Sequence, residues 1–154
     1  MTPLLDRLPW RRLRARRRHF LAARQSRRQP DGQFLSAAAP GATGAEADVI
    51  LTCRAVVARA CGVPTGALCA ADLTTEIEPL FGAECRTDFL LAIPLRIPEC
   101  IDTVEFWQDL DAALSPLSGS GFAIRDDIIN AAVARWRAGD ALGSWAAGLS
   151  RQLN

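Results

Sequence analysis

Between Val49 and Cys61 the apolar residues Val49, Ile50, Cys53, Val56, Val57, Ala60 and Cys61 recur at the three-and-four spacing of one helical face, the strongest periodic signal in the chain. Thr43, followed three residues on by Glu46, has the form of a capping box and predicts where this helix starts; Gly62, with Pro64 beyond it, predicts where it stops. Downstream, Val63, Leu68, Leu73, Ile77, Leu80 and Phe81 follow no sustained period, the pattern of a long loop pinned to a core, with one helical turn at 74–77. Thr87 or Asp88 is placed to cap a second helix over residues 89–93, which Pro94 and Pro98 keep short or kinked. Asp102 with Glu105 forms a second capping box, opening a helix whose Val104, Trp107, Leu110, Ala113 and Leu114 face one way. After a Ser/Gly-rich break at 115–121, Ile124, Ile128, Ala132, Val133 and Trp136 predict the inner face of a helix over 123–138, ended by Gly139. A short last helix follows over 141–153, carrying Leu142, Trp145 and Leu149. With no alternating strand pattern of any length, the expected fold is all-α, a small bundle of three to four helices.

The chain before this body is built differently. Residues 4–25 alternate arginine clusters with Leu4, Leu5, Leu8, Trp10, Leu13, Phe20 and Leu21, and Pro9 marks the start of a basic helical arm. Residues 1–28 hold ten arginines against Asp6 alone, a net +9, so the remainder must sum to −8 for the chain to total +1. That negative balance is concentrated between Asp72 and Asp111, where ten acids stand against Arg86 and Arg96. The expected organisation is an Arg-rich arm at 1–28, a Pro/Gly/Ala/Ser-rich linker at 29–44 with a helical turn near 33–38, a helical bundle at 45–138 and a C-terminal short helix at 139–154. All 18 basic residues are arginine, which with abundant alanine is the bias of a GC-rich bacterial coding sequence.

Arg11, Arg12, Arg14, Arg16, Arg17 and Arg18 make the arm a candidate interaction element with three readings: an anionic membrane surface, nucleic acid, or docking on its own acidic domain or on a partner. The last is preferred, because an acidic body repels polyanions and attracts the arm. Arg-rich, acid-poor N-termini also occur as mitochondrial-type transit peptides. The five cysteines, Cys53, Cys61, Cys69, Cys85 and Cys100, form no C-x-x-C pair, and the lone His19 is far from all of them, so neither a metal site nor a disulfide framework is expected. Reduced thiols, the lack of an 18-residue apolar run and the lack of an apolar signal region point to a cytoplasmic protein.

Catalytic constellations are thin. Asp109 with Asp111 and Asp126 with Asp127 are one or two residues apart and do not face each other on a helix, which makes them a solvated face rather than an acid–base pair. Ser118 and Ser120 lack the lysine of a phosphate-binding loop, and Cys85 beside Arg86 has no histidine partner outside the arm. No enzyme activity and no cofactor are expected.

Taken in order, Cys61-Gly62-Val63-Pro64 at the end of the first helix, the long loop with Asp72-Leu73, the acidic second helix, the Ile97-Pro98 step and the entry Phe122-Ala123-Ile124-Arg125-Asp126-Asp127 resemble the acyl carrier protein family over roughly residues 45–137. The resemblance implies a four-helix carrier fold, and an attachment loop of the type D-S-L-D whose serine bears a phosphopantetheine arm. Laid onto Cys85-Arg86-Thr87-Asp88, that pattern aligns Asp88 with its second aspartate and puts Arg86 at the serine. Arginine offers no hydroxyl nucleophile, and Thr87 is the nearest substitute. The expectation is a carrier-like, non-catalytic domain that docks a protein partner with a basic surface through Glu84, Arg86, Asp88, Glu99, Asp102 and Glu105. A carrier modified on Thr87, and a binding module acting through the arm, are the alternatives.

Overall fold

The computed structural model describes residues 9–83, 101–118 and 124–153. Seven helices lie among them: α1 (Pro9–Ala23), α2 (Asp31–Ala38), α3 (Gly44–Cys61), α4 (Thr74–Ile77), α5 (Thr103–Leu114), α6 (Asp126–Ala138) and α7 (Leu142–Leu153). Single 3₁₀ turns at Thr65–Ala67, Glu78–Phe81 and Ser115–Leu117 join them. The described residues form no sheet, and Leu73 and Ala141 meet in one isolated antiparallel bridge. The helix expected over 89–93 lies outside the described residues, as do Glu84, Cys85, Arg86, Thr87, Asp88, Glu99, Cys100 and Ser120.

The centre of the fold is α3, which packs against α7, α5 and α2. Its apolar face buries Val49, Ile50, Cys53, Val57, Ala60 and Cys61, as its periodicity predicts. Thr43 is the N-cap in extended backbone, but its side chain makes no capping hydrogen bond, so the predicted capping box does not form there. At the other end the Val63 amide donates to Ala58 O (3.1 Å) and the Gly62 amide to Arg59 O (3.2 Å), with Gly62 left-handed at φ 65°: a Schellman closure.

Of the bundle expected over 45–138, α3, α5 and α6 lie among the described residues; α7, expected as a short helix outside it, packs with them, and α1 and α2 are laid against this body. Its interior is aromatic. Phe106 of α5 packs on Phe81 (4.8 Å between ring centres) and on Trp136 of α6 (5.1 Å), and Trp136 meets Trp145 of α7 edge-on at 4.9 Å. The Trp145 indole N–H donates to Ala132 O at 3.1 Å, satisfying the polar atom that this burial removes from water. The inner face of α5 is rotated by about one residue from the predicted one: Phe106, Leu110 and Leu114 are buried, while Val104 is 62% exposed. Phe106 wins because it completes the aromatic cluster. Leu73, expected to pin the loop, is instead 40% exposed, and the loop is held through its backbone.

Those backbone bonds lead to α7. The Leu142 amide donates to Asp72 O (2.7 Å), the Gly143 amide to Ala70 O (2.9 Å) and the Thr74 amide to Asp140 O (3.0 Å). The loop thereby satisfies first-turn donors of α7 that the helix cannot. A Cβ on Gly143 would stand 2.8 Å from that of Ala70 and 3.1 Å from that of Ala38, so the close approach of loop, α2 and α7 requires glycine. Eight of the twelve residues of α7 are buried, which makes the C-terminal segment a core helix. Within the Pro/Gly-rich stretch expected to be a linker, α2 buries Phe34 completely.

Candidate functional site

The chemistry of this chain is in its arginines, and the structure divides those of α1 between two jobs. On the inward face Leu13 is fully buried, and Phe20 and Leu21 pack on the core. Between these apolar contacts, Arg17 donates twice to Leu80 O (2.9 and 3.1 Å) and reaches Ala60 O at 3.4 Å, while Arg16 donates to Pro79 O at 2.7 Å. These carbonyls end α3 and the 78–81 turn, where orphan acceptors and the negative end of a helix dipole attract a cation. The Arg17 guanidinium covers Gly62 so closely that a Cβ there would stand 2.5 Å from it.

Two turns further on, just past the end of α1, Arg24 meets Asp72, a carboxylate only 7% exposed. Two guanidinium nitrogens reach its two oxygens at 2.7 and 2.5 Å, and the Cys69 amide donates to it at 2.7 Å. The hydrogen bond to Asp72 raises the Arg24 pKa above its ordinary value, against the opposing pull of burial. Arg24 also lies 4.5 Å above the Phe20 ring. Asp72 is therefore a structural anchor for the arm.

A second arginine is buried outright. Arg54, 1% exposed on α3, donates to Asp31 (2.7 Å), Leu68 O (2.8 Å) and Gln29 O, and stacks 4.4 Å over Phe34. It fastens the start of α2 and the 62–73 loop to α3. Sequence reasoning missed this residue, although the signal was present: position 54 falls one after Cys53 and three before Val57, inside the apolar stripe.

The outward face of the arm remains cationic. Arg11 and Arg18 are exposed, seven residues apart on one line of α1, and Arg12 and His19 form a parallel line. Arg14 is exposed as well, and Arg27 and Arg28 extend the basic surface past the end of α1. Of the residues expected to dock a partner on the acidic side, Asp102 and Glu105 are described, at the start of α5. The Asp102 carboxylate accepts from the Glu105 amide at 2.8 Å, the N-cap half of the predicted box.

Burial pushes the thiols of Cys53 and Cys61 up to about 12, which makes them poor nucleophiles. Cys69 is a half-buried free thiol. Among the described residues no three His, Cys, Asp or Glu side chains gather in a way that could hold a metal ion. Asp127, on the first turn of α6, is exposed, as expected of a solvated face, and pairs with Arg125 at 3.0 Å. Among the described residues no helix is long and apolar enough to cross a membrane. No family model, curated protein or solved structure matches the chain.

Proposed function

We propose that this chain is a non-catalytic helical interaction module that binds the phosphates of nucleic acid through the outward arginines of the arm, on α1 and just after it, without reading base sequence. The observation carrying this reading is the sorting of the arm: Arg16, Arg17 and Arg24 are committed to the body, while Arg12, Arg18, Arg27 and Arg28 face solvent. The same sorting disfavours the bilayer alternative. A helix that lies in a membrane surface inserts its apolar face, and here Leu13, Phe20 and Leu21 are already used against the core. Among the described residues, the exposed face of α1 carries mainly charge, which suits a phosphate backbone. Docking of the arm on its own body and binding of polyanion are then compatible, because different arginines serve each.

Fluorescence anisotropy with labelled single-stranded and duplex oligonucleotides tests this at two or more salt concentrations. Replacing Arg12, Arg18, Arg27 and Arg28 by alanine removes up to four phosphate contacts, so the slope of log K against log salt should become shallower by about 3 to 4 on duplex. Binding that ignores salt, or that survives the quadruple replacement unchanged, rules the reading out.

The second reading is carrier-like docking of a basic protein partner through the acidic side, supported by the negative balance of residues 72–111 and by the helix that Asp102 opens. Incubation with coenzyme A and a broad-specificity phosphopantetheinyl transferase distinguishes its two forms. An unchanged intact mass fits a domain that only docks; a phosphopantetheine increment would identify a true carrier modified on an atypical hydroxyl such as Thr87.

A further inference from the structure

A groove of about 530 Å³ runs along α3 beside its contact with α5, with Ala113 of α5 and Leu117 forming its far wall and Val56 and Leu117 half-buried against the core at its floor. Six α3 residues line it: Asp48, Leu51, Thr52, Ala55, Val56 and Arg59. Asp48 and Arg59 are exposed, and neither side chain has a charged or hydrogen-bonding partner among the described residues. Three features of this strip act together. Its charges are opposite and sit at its two ends, eleven residues or about 16 Å apart. Its middle is apolar or small. Its residues pair off about one point: Asp48 with Arg59, Leu51 with Val56 and Thr52 with Ala55 are each centred midway between Cys53 and Arg54.

The spacing belongs to any helical stripe, and it is the opposite charges at the two ends that make this one self-complementary. In a two-fold contact residue i meets residue j while j meets i, so a strip that reads the same way after reversal and exchange of charge matches a second copy of itself. We propose that α3 pairs antiparallel with α3 of a second copy of this chain. Asp48 then lies opposite Arg59 of the second copy at one end, and the same ion pair repeats at the other. Thr52 and Ala55 flank the two-fold axis, where small side chains let two helices approach to the 8–10 Å typical of packed pairs. The antiparallel arrangement also sets the positive end of each helix dipole beside the negative end of the other. One strip is smaller than the roughly 800 Å² per partner of a standard stable interface, so the dimer is expected to be weak and reversible. This inference is independent of nucleic-acid binding.

Sedimentation equilibrium of the full chain from about 1 μM to about 500 μM tests it, a span chosen for a weak complex. The expected result is a concentration-dependent dimer that weakens at high salt. Asp48→Arg or Arg59→Asp alone makes both ion pairs repulsive and should weaken association about tenfold or more, and the double variant should restore it to within about threefold. Ala55→Arg should abolish it. Both charged positions are solvent-exposed, and circular dichroism confirms that each variant is folded. A chain that stays monomeric throughout, a dimer indifferent to the single reversals, or a double variant that fails to recover would each overturn the proposal.

Discussion

The two ends of the described chain are fastened to the same body by different physics. α7 is held by burial: Leu142, Trp145, Ala146 and Leu149 are fully inaccessible, and its first amides bond to the 62–73 loop. α1 has one fully buried apolar residue, Leu13, and depends on guanidinium groups meeting carbonyls and Asp72. Apolar burial is indifferent to salt and shared among many contacts, whereas a few charge-assisted hydrogen bonds are directional and individually breakable. The contrast implies two levels of stability, a body that unfolds as a unit with α7 and an arm that detaches first.

The largest effect is expected where α7 meets the aromatic cluster. Trp145→Ala removes the ring packed on Trp136 and Phe106 together with the indole hydrogen bond to Ala132 O, and should cost about 3–5 kcal/mol. That is a large part of the stability of an ordinary domain, so urea unfolding should show a much lower midpoint or no cooperative transition. Retention of a native midpoint would mean that α7 is a dispensable appendage, and the contrast with α1 would collapse.

The thiols measure the same difference without mutation. Cys53 and Cys61 favour the neutral form in the folded state, with pKa values raised from 9.0 to about 12 by burial. Their contribution to stability is complete below about pH 9, and is lost as pH rises from there towards the folded value, because the unfolded chain gives up these protons first. Unfolding midpoints should therefore fall across that alkaline window. Cys53 lies mid-helix in α3 and Cys61 beside the Gly62 that Arg17 covers, so alkylation followed by peptide mapping should modify Cys61 before Cys53. Equal rates would place both thiols in one opening unit.

Much of the helical layout was legible because it rests on local rules. The α3 stripe, Gly62 and Gly139, and Pro9 at the start of α1 each act through backbone geometry within a turn or two. What the sequence hid depends on distant partners. Val104 and Phe106 are both plausible inward residues, and Phe81 and Trp136 decide between them. Thr43 and Asp102 both begin capping-box patterns, yet only Asp102 bonds the amide three residues on. The candidate site divides in the same way. The charge of the arm was plain from composition, but which arginines face inward depends on carbonyls more than forty residues away, at Ala60, Pro79 and Leu80. Asp72 read as one acid of a long acidic stretch, and its burial beneath Arg24 has no local signal.

A smaller and more specific effect is expected at that latch. Asp72→Asn removes the charge that Arg24 grips and keeps the size of the side chain, at a cost of about 1–2 kcal/mol for a partly exposed charge-assisted pair. The loss should concentrate in the arm. Limited trypsin digestion should cut faster at the arginines of α1 while the body from α3 onward stays resistant, and far-UV circular dichroism should change little. Cleavage of the body at the same accelerated rate would show that arm and body open together.

The smallest effect tests whether the latch uses geometry or charge alone. Arg24→Lys keeps the positive charge but replaces a planar fork, which holds both oxygens of Asp72 and lies over Phe20, with a single ammonium. One of the two parallel bonds and the ring contact are lost, so a cost of about 0.5–1 kcal/mol is expected, with a few-fold rise in tryptic nicking of the arm. The lysine variant should also lose protection more readily with added salt, since a point charge on a flexible stem depends more on screened attraction than a bidentate pair does. If lysine protects the arm as well as arginine at every ionic strength, the latch is purely electrostatic, and the fork geometry at Asp72 contributes nothing to holding α1 in place.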